Sequence, residues 1–351
     1  MSINANFSQA LVVLESHNNV FIKFKRPARL NSWNSEMTHV VSYIINRAAK
    51  EKQNIIFYGE GRAFSAGCDI LGIAKGNIVP SEIFRYEVET LLQLTRLETH
   101  TVALMNGITM GAGAGLAWGC SIRVSTPNTV WAMPETSIGF CPDVGASYFL
   151  NKVNPPELGL YLQLTGEKLN GVDCYLFGFS HYHIEEKLEK VRKEIFLGED
   201  IVKVFEKYHI EPDTEKSTIM PVLKDLRECF NIYHSLEFII YKLKEKNTPW
   251  SLRIYSKLQK LCPLSLRVAY ESFRRGRNLS YMDCLKMEYN LGVQMTSYRS
   301  TNFKEAIQKK MINKSRAAVN WIPNSIVEIG DSTMIPYFTN EEGPKLESPK
   351  L

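Results

Sequence analysis

Two carboxylates stand alone in a long apolar stretch of this chain. Glu135 and Asp143 are the only acids between Glu98 and Glu157, and each sits among apolar or small residues, in AMPETSIG and FCPDVGA. A carboxyl group drawn out of water changes its hold on the proton, which suits it to acid–base or nucleophilic work. Upstream, Gly111-Ala112-Gly113-Ala114-Gly115 follows the apolar segment Thr101 to Leu104 and runs into Leu116-Ala117-Trp118. The pattern predicts a strand entering a helix through a turn of small residues. Such a turn lets a ligand approach the backbone, and the free N–H groups at the helix start favour a negative oxygen. Together they describe an oxyanion site beside two candidate catalytic acids.

Each feature also has a plainer reading. A glycine cluster fits a turn or a close helix contact, and Glu135 follows it at the distance of a dinucleotide fingerprint, although the spacing is GxGxG and lies mid-chain. Thr101 to Ile122 carries no charge for 22 residues, as a membrane span would, but five glycines and an asparagine argue against a spanning helix. Glu135 alone fits a capped or salt-bridged acid, and Asp143 a Pro-Asp turn.

A second small-residue loop adds to the case. Gly61-Arg62-Ala63-Phe64-Ser65-Ala66-Gly67-Cys68-Asp69-Ile70 follows the strand Asn54 to Tyr58, and Ala66 lies 46 residues before Ala112. Two strand exits of this kind could each aim one backbone N–H at a common carbonyl oxygen. With these segments the sequence resembles the crotonase (enoyl-CoA hydratase/isomerase) superfamily, whose AFxAGxDI and NGxxxGxGxG motifs supply two oxyanion amides. Within it, AMPETSIGFCPDVGASYFL is similar to the 3-hydroxyisobutyryl-CoA hydrolase branch. The likeness begins near Leu11 and includes RPARLNSWN, LTGEKLNGVDCYLFGF, CPLSLRVAYESF, Lys286 to Tyr289 and Asn302 to Ile307. It fades between Glu194 and Trp250 and beyond Trp321. Ala112 stands where the family has a middle glycine, and Cys68 where a glycine is common.

The resemblance implies an α/β fold: a crotonase-type ββα spiral core over residues 1–195 and a mainly helical C-terminal region over 196–330; residues 331–351, beyond its reach, are expected to form a flexible tail. It implies hydrolysis of a short hydroxyacyl-CoA thioester, most directly 3-hydroxyisobutyryl-CoA in valine breakdown. The amides of Ala66 and Ala112 would hold the thioester oxygen, Glu135 would attack or activate water, and Asp143 would move protons. Glu87, in FRYEVETLL, would bind the substrate's hydroxyl, and Arg29 would meet CoA phosphate. CoA is part of the substrate, and no metal or separate cofactor is implied. Two other classes stay open: a hydratase or isomerase of the same fold, and a non-catalytic hydrolase-like subunit of a mitochondrial ribosome. A hydratase carries a second glutamate just after the glycine turn, where this chain has Gly115.

The elements that must position these groups follow from periodicity. Leu11 to Glu15 and Val20 to Phe24 alternate as antiparallel strands, Asn34-Ser35 opens a helix running to Lys50, and Ile83 to Leu97 carries Glu87 beside its apolar face. Past Gly166 the pattern turns helical, with 173–179, 185–197, 236–246 and 250–261 as segments and a polar stretch between the second and third. His181 and His183 read as loop residues, since no Cys or acid cluster accompanies them.

Composition bounds the rest. The chain has 351 residues, 44% of them hydrophobic, and a net charge of +5, which suits a globular protein and excludes fibrous and disordered classes. Residues 1–195 hold 18 basic and 18 acidic groups, whereas 251–316 hold 14 basic and 4 acidic. A solvated helical face explains that excess; an acidic partner such as CoA phosphate or RNA is the sharper reading, with nucleic acid the less expected. No membrane association is expected, and homo-oligomers remain open. Seven scattered cysteines without metal spacing predict free thiols. The first 20 residues hold no Lys or Arg, so no cleavable presequence is expected. The family role points to the mitochondrial matrix, and Pro349-Lys350-Leu351 approaches a peroxisomal address.

Overall fold

In the computed structural model, which describes residues 5–297 and 301–339, the chain winds between two sheets. Strands β1 (Ala5–Ser8), β2 (Leu11–Ser16) and β3 (Asn19–Phe24) pair antiparallel at one edge. Three strand pairs follow: β4 (Asn54–Gly59) with β5 (Ala63–Ser65), β6 (Thr101–Met105) with β7 (Ile108–Met110), and β8 (Ile122–Ser125) with β9 (Val130–Ala132). The first member of each pair joins the larger sheet and the second joins the smaller one, all in parallel. Strand β10 (Leu169–Asn170) closes the smaller sheet antiparallel to β9, and β11 (Tyr182–His183) extends the larger one parallel to β8. Helices Pro80–Leu94 and Ala112–Gly119 end the first two turns. The expected ββα spiral is therefore present.

The sequence dictates this winding locally. Strands β4 and β6 are covered on both faces, and Ile55, Ile56, Phe57, Val102, Ala103, Leu104 and Met105 are buried, as the unbroken apolar runs of a parallel sheet require. One face meets Val41, Ile44 and Ile45 of the helix Ser35–Glu51, whose Asn34 cap accepts from Met37 N. The other face packs on helices Leu188–Phe196 and Ile201–Tyr208 through Val191, Ile195, Val204 and Phe205. The second of these helices, with another at Leu223–Cys229, lies where the sequence reads only as a polar segment.

The C-terminal region is mainly helical, as expected, but it shares its core with the spiral. Leu266, Ala269 and Phe273 of the helix Pro263–Gly276, and Leu285 of the helix Tyr281–Thr296, belong to the same apolar cluster as Phe57 and Leu116. The stretch from 331, expected to be a flexible tail, starts with a helix, Asp331–Thr339, whose Met334, Tyr337 and Phe338 pack on a second apolar cluster around Phe84 and Phe303. Pro349-Lys350-Leu351 lies outside the described residues. Among those residues no helix is long and apolar enough to cross a membrane.

Candidate active site

Strands β5 and β7 both exit toward one place, and glycines let their loops touch there. Gly67 has φ +97°, and a Cβ on it would lie 3.0 Å from Ala112 N and 3.0 Å from Met110 O, so a side chain there would force the two loops apart. Behind the first loop, the segment 30–33 braces it: Ala66 N donates to Leu30 O at 2.9 Å, Trp33 N to Gly67 O at 2.8 Å and Asp69 N to Trp33 O at 2.7 Å. Asp69 also pairs with Arg26 at 2.9 Å.

These bonds correct one expectation. The Ala66 amide is already spent on Leu30, so it is not a free oxyanion donor. Two residues on, Cys68 lines the same cavity, and its amide has no acceptor among the described residues. The Ala112 amide is also unpaired, as the first N–H of the helix Ala112–Gly119 must be. The two free donors facing this space are therefore those of Cys68 and Ala112.

The loops open on a cavity of about 320 Å³ lined by Ala66, Cys68, Glu87, Ala112, Glu135 and Asp143, among mostly apolar neighbours. Phe303 and Met311 reach it from the C-terminal helices, and Met311 remains 41% exposed, which marks an opening. No Lys, Arg or His lines it among the described residues, so its acids lack a counter-cation there. Glu135 is 7% and Glu87 3% exposed, and Glu135 Oε2 and Glu87 Oε1 have no hydrogen-bond partner among the described residues. Burial pushes both carboxyls up to about 8, with the Cys68 thiol opposing the rise at Glu87. Burial also raises Asp143 well above the usual range, followed by the charges of Glu87, Glu135 and Glu288. Burial thus favours the protonated forms of Glu87, Glu135 and Asp143 at neutral pH.

Local backbone geometry sets the acids in place. Glu135 begins a short 3-10 turn, Glu135–Ile138, and its carbonyl accepts from Phe140 N at 3.2 Å. Asp143 precedes Val144, a β-branched residue held at φ 53°, where such side chains are disfavoured. The next residues are tied to the helix Tyr281–Thr296: Gly145 N donates to Glu288 Oε2 at 2.5 Å, Ser147 N to Oε1 at 2.7 Å, and Ser147 Oγ to Oε1 at 2.6 Å. Sequence reasoning missed Glu288 as a site residue. Its signal is an acid within a buried helix face, with Leu285 and Leu291 three residues to either side.

Other expected residues fall outside the cavity. Arg29 lies exposed on the turn Pro27–Arg29, one residue before Leu30, which lines the cavity. His183 is a buried residue of β11 whose Nδ1 meets Ser125 Oγ at 3.0 Å, not a loop residue. His181 Nδ1 accepts from Arg123 N. Much of the basic C-terminal surface is ion-paired: Arg253 and Lys257 with Glu167, Arg267 with Glu237, and Arg274 and Arg275 with Glu271. All seven cysteines are free thiols.

A ββα spiral whose two loops set unpaired amides beside buried carboxylates is the crotonase architecture. A family model described as enoyl-CoA hydratase/isomerase matches residues 20–338. The chain is 30% identical over 334 residues to the mitochondrial 3-hydroxyisobutyryl-CoA hydrolase of Xenopus tropicalis, covering 91% of this chain and 86% of that protein. It is 31% identical over 362 residues to a probable 3-hydroxyisobutyryl-CoA hydrolase 2 of Arabidopsis thaliana, covering 96% and 93% respectively. Among solved structures, a carnitinyl-CoA dehydratase from Mycobacterium thermoresistibile superposes with a TM-score of 0.88 at 24% identity, over 98% of this chain and 100% of that one. At that identity the likeness shows the fold. The chain belongs to the enoyl-CoA hydratase/isomerase family.

Proposed function

We propose that this protein hydrolyses a short 3-hydroxyacyl-CoA thioester, with 3-hydroxyisobutyryl-CoA as substrate and 3-hydroxyisobutyrate and CoA as products, a step of valine breakdown. The observation that carries hydrolysis over hydration is the state of position 115. A Cβ on Gly115 would lie 2.5 Å from Val144 Cβ and 2.8 Å from Val144 O. The second glutamate of a hydratase has no room there, so Glu135 and Asp143 are left to do the chemistry without it.

The reaction uses few groups. The acyl carbonyl docks between the Cys68 and Ala112 amides, each worth roughly 3–4 kcal/mol to the tetrahedral intermediate when well placed. Glu135 delivers the attack on the carbonyl carbon, either with its own oxygen, giving an anhydride that water then cleaves, or by taking a proton from the attacking water. As the C–S bond breaks, Asp143 gives its proton to the leaving sulfur. Water supplies the oxygen of the new acid and returns a proton to the site, so the sum is thioester plus water to acid plus free thiol. The apolar walls fit a short branched acyl chain, and Glu87 Oε1, buried without a partner, offers the substrate's hydroxyl a hydrogen bond. Arg29 on the outer turn is our candidate for a CoA phosphate contact.

We propose a mitochondrial location, because the similar hydrolases of Xenopus tropicalis and Gallus gallus and the hydrolase-like protein 1 of Arabidopsis thaliana are named mitochondrial. The ion pairing of the basic surface gives RNA binding no support beyond a non-specific charge effect. The test is thiol release across a panel of acyl-CoA esters. We expect 3-hydroxyisobutyryl-CoA to give the highest kcat/KM and isobutyryl-CoA at least about 10-fold less, because a site built for a hydroxyl is then left unpaired. Equal rates on both esters would contradict the hydroxyacyl reading.

A further inference from the structure

Four acids gather at this site, and Glu288 has donors on both of its carboxyl oxygens. Both oxygens of Glu288 accept from backbone N–H groups, Oε2 from Gly145 and Oε1 from Ser147, and Oε1 also takes the Ser147 hydroxyl. Backbone amides cannot accept, so this pattern uses both carboxyl oxygens as acceptors and favours the anion. Glu135 and Glu87 each keep a buried oxygen without a partner. Glu288 is itself 1% exposed, and no basic side chain is among its hydrogen-bond or ion-pair partners, among the described residues.

We propose that Glu288 is a positioning residue: it clamps the 143–147 turn from the far side and, when ionised, helps to keep Asp143 in its acid form until the thiolate leaves. The inference rests on the hydrolase reading above. Ser147 of the helix Ala146–Phe149 touches Glu288, and the titratable groups that feel its charge are Asp143 and Cys141 from the loop and Tyr281 and Cys284 from its own helix. None of the five brings a positive charge. Burial raises the Glu288 carboxyl, and the three donors, from Ser147 and Gly145, oppose that rise. Once charged, it opposes loss of the Asp143 proton. Val144 at φ 53° lies between Asp143 and the first clamped amide, which explains how an unfavourable backbone conformation is maintained there.

The experiment compares wild type, Glu288→Gln and Glu288→Asp. We expect Glu288→Gln to lower kcat by at least about 30-fold with KM within about three-fold, because docking is untouched while proton delivery is lost. The high-pH limb of kcat, which follows Asp143, should move down by about one pH unit. Glu288→Asp keeps the charge on a shorter arm, so kcat should fall while that limb stays in place. If Glu288→Gln does not fold, Glu288→Asp decides alone, and a displaced limb in it overturns the proposal. So does a folded Glu288→Gln with kcat within three-fold and an unmoved limb. An inactive wild type would refute the hydrolase reading instead. The role of Glu288 is then read from the Asp143 carboxyl carbon shift in substrate-free protein, whose titration must fall to lower pH in Glu288→Gln; an unchanged midpoint overturns the proposal there.

Discussion

Glu135 stands directly against Gly111: a Cβ built on that glycine would lie 2.9 Å from Glu135 Oε1. The contact links two parts of the site, because Gly111 caps the helix whose first free amide is that of Ala112. Carboxylate and free amide are thereby set beside the same small space, which in the proposed reaction lets one thioester carbonyl meet both.

Gly111→Ala should therefore damage catalysis more than folding. The new methyl pushes Glu135 aside, and the glycine's φ of +52° falls in the left-handed region. We expect kcat to fall by ~10²-fold for a displacement near 1 Å, with a stability loss of about 1–2 kcal/mol from the strained backbone. Steady-state kinetics and thermal unfolding on one preparation check this, and wild-type kcat in Gly111→Ala would refute it.

The pH profile should follow Glu135. Attack requires the carboxylate, whereas burial holds the group protonated up to about 8. kcat/KM should rise close to tenfold per pH unit below that value and level off above it until Asp143 loses its proton. Rates measured from pH 6 to 9 check this; a flat profile across that range would mean that Glu135 ionises elsewhere or does not act.

Stability should move in the opposite direction. Glu87 and Glu135 bind their protons more tightly in the folded protein, at about 8, than at the ordinary 4.5. The stability tied to those protons is fully present below about 4.5 and is lost as pH rises toward 8. Glu135→Gln removes the penalty and should stabilise the protein at pH 8 by on the order of 3 kcal/mol. The gain should vanish near pH 4.5. Denaturant unfolding at both pH values tests it, and equal differences at the two would contradict the assignment.

Glu87 should govern specificity, since its buried Oε1 lacks a partner among the described residues, and the proposed substrate's hydroxyl would supply one. Glu87→Ala should lower kcat/KM for 3-hydroxyacyl esters at least about 10-fold more than for plain acyl esters. Equal losses on both would reduce Glu87 to structural support.

Much of this site is legible in the sequence, for local reasons. Glu135 and Asp143 are conspicuous because they interrupt apolar sequence, and the Gly111 turn because few side chains tolerate such close contact. All three line the cavity. Ala66 is misjudged by two residues because its loop is braced by Leu30, 36 positions earlier in the chain, and no local pattern reveals where an amide is already spent. Glu288 is hidden for the same reason. Its partners Gly145 and Ser147 lie more than 140 residues away. The helix Asp331–Thr339 is hard to see in the sequence because it contains Pro336 and buries none of its residues fully; it rests on the second core.

The most direct measurement is CoA release from 3-hydroxyisobutyryl-CoA by wild type and Glu135→Gln side by side, with ester binding to each measured in parallel. The account predicts turnover by wild type, a loss of at least about 10³-fold in Glu135→Gln, and ester affinity within a few-fold in both, because the carboxylate acts only after docking. Glu135→Gln turning over within a few-fold of wild type would contradict it.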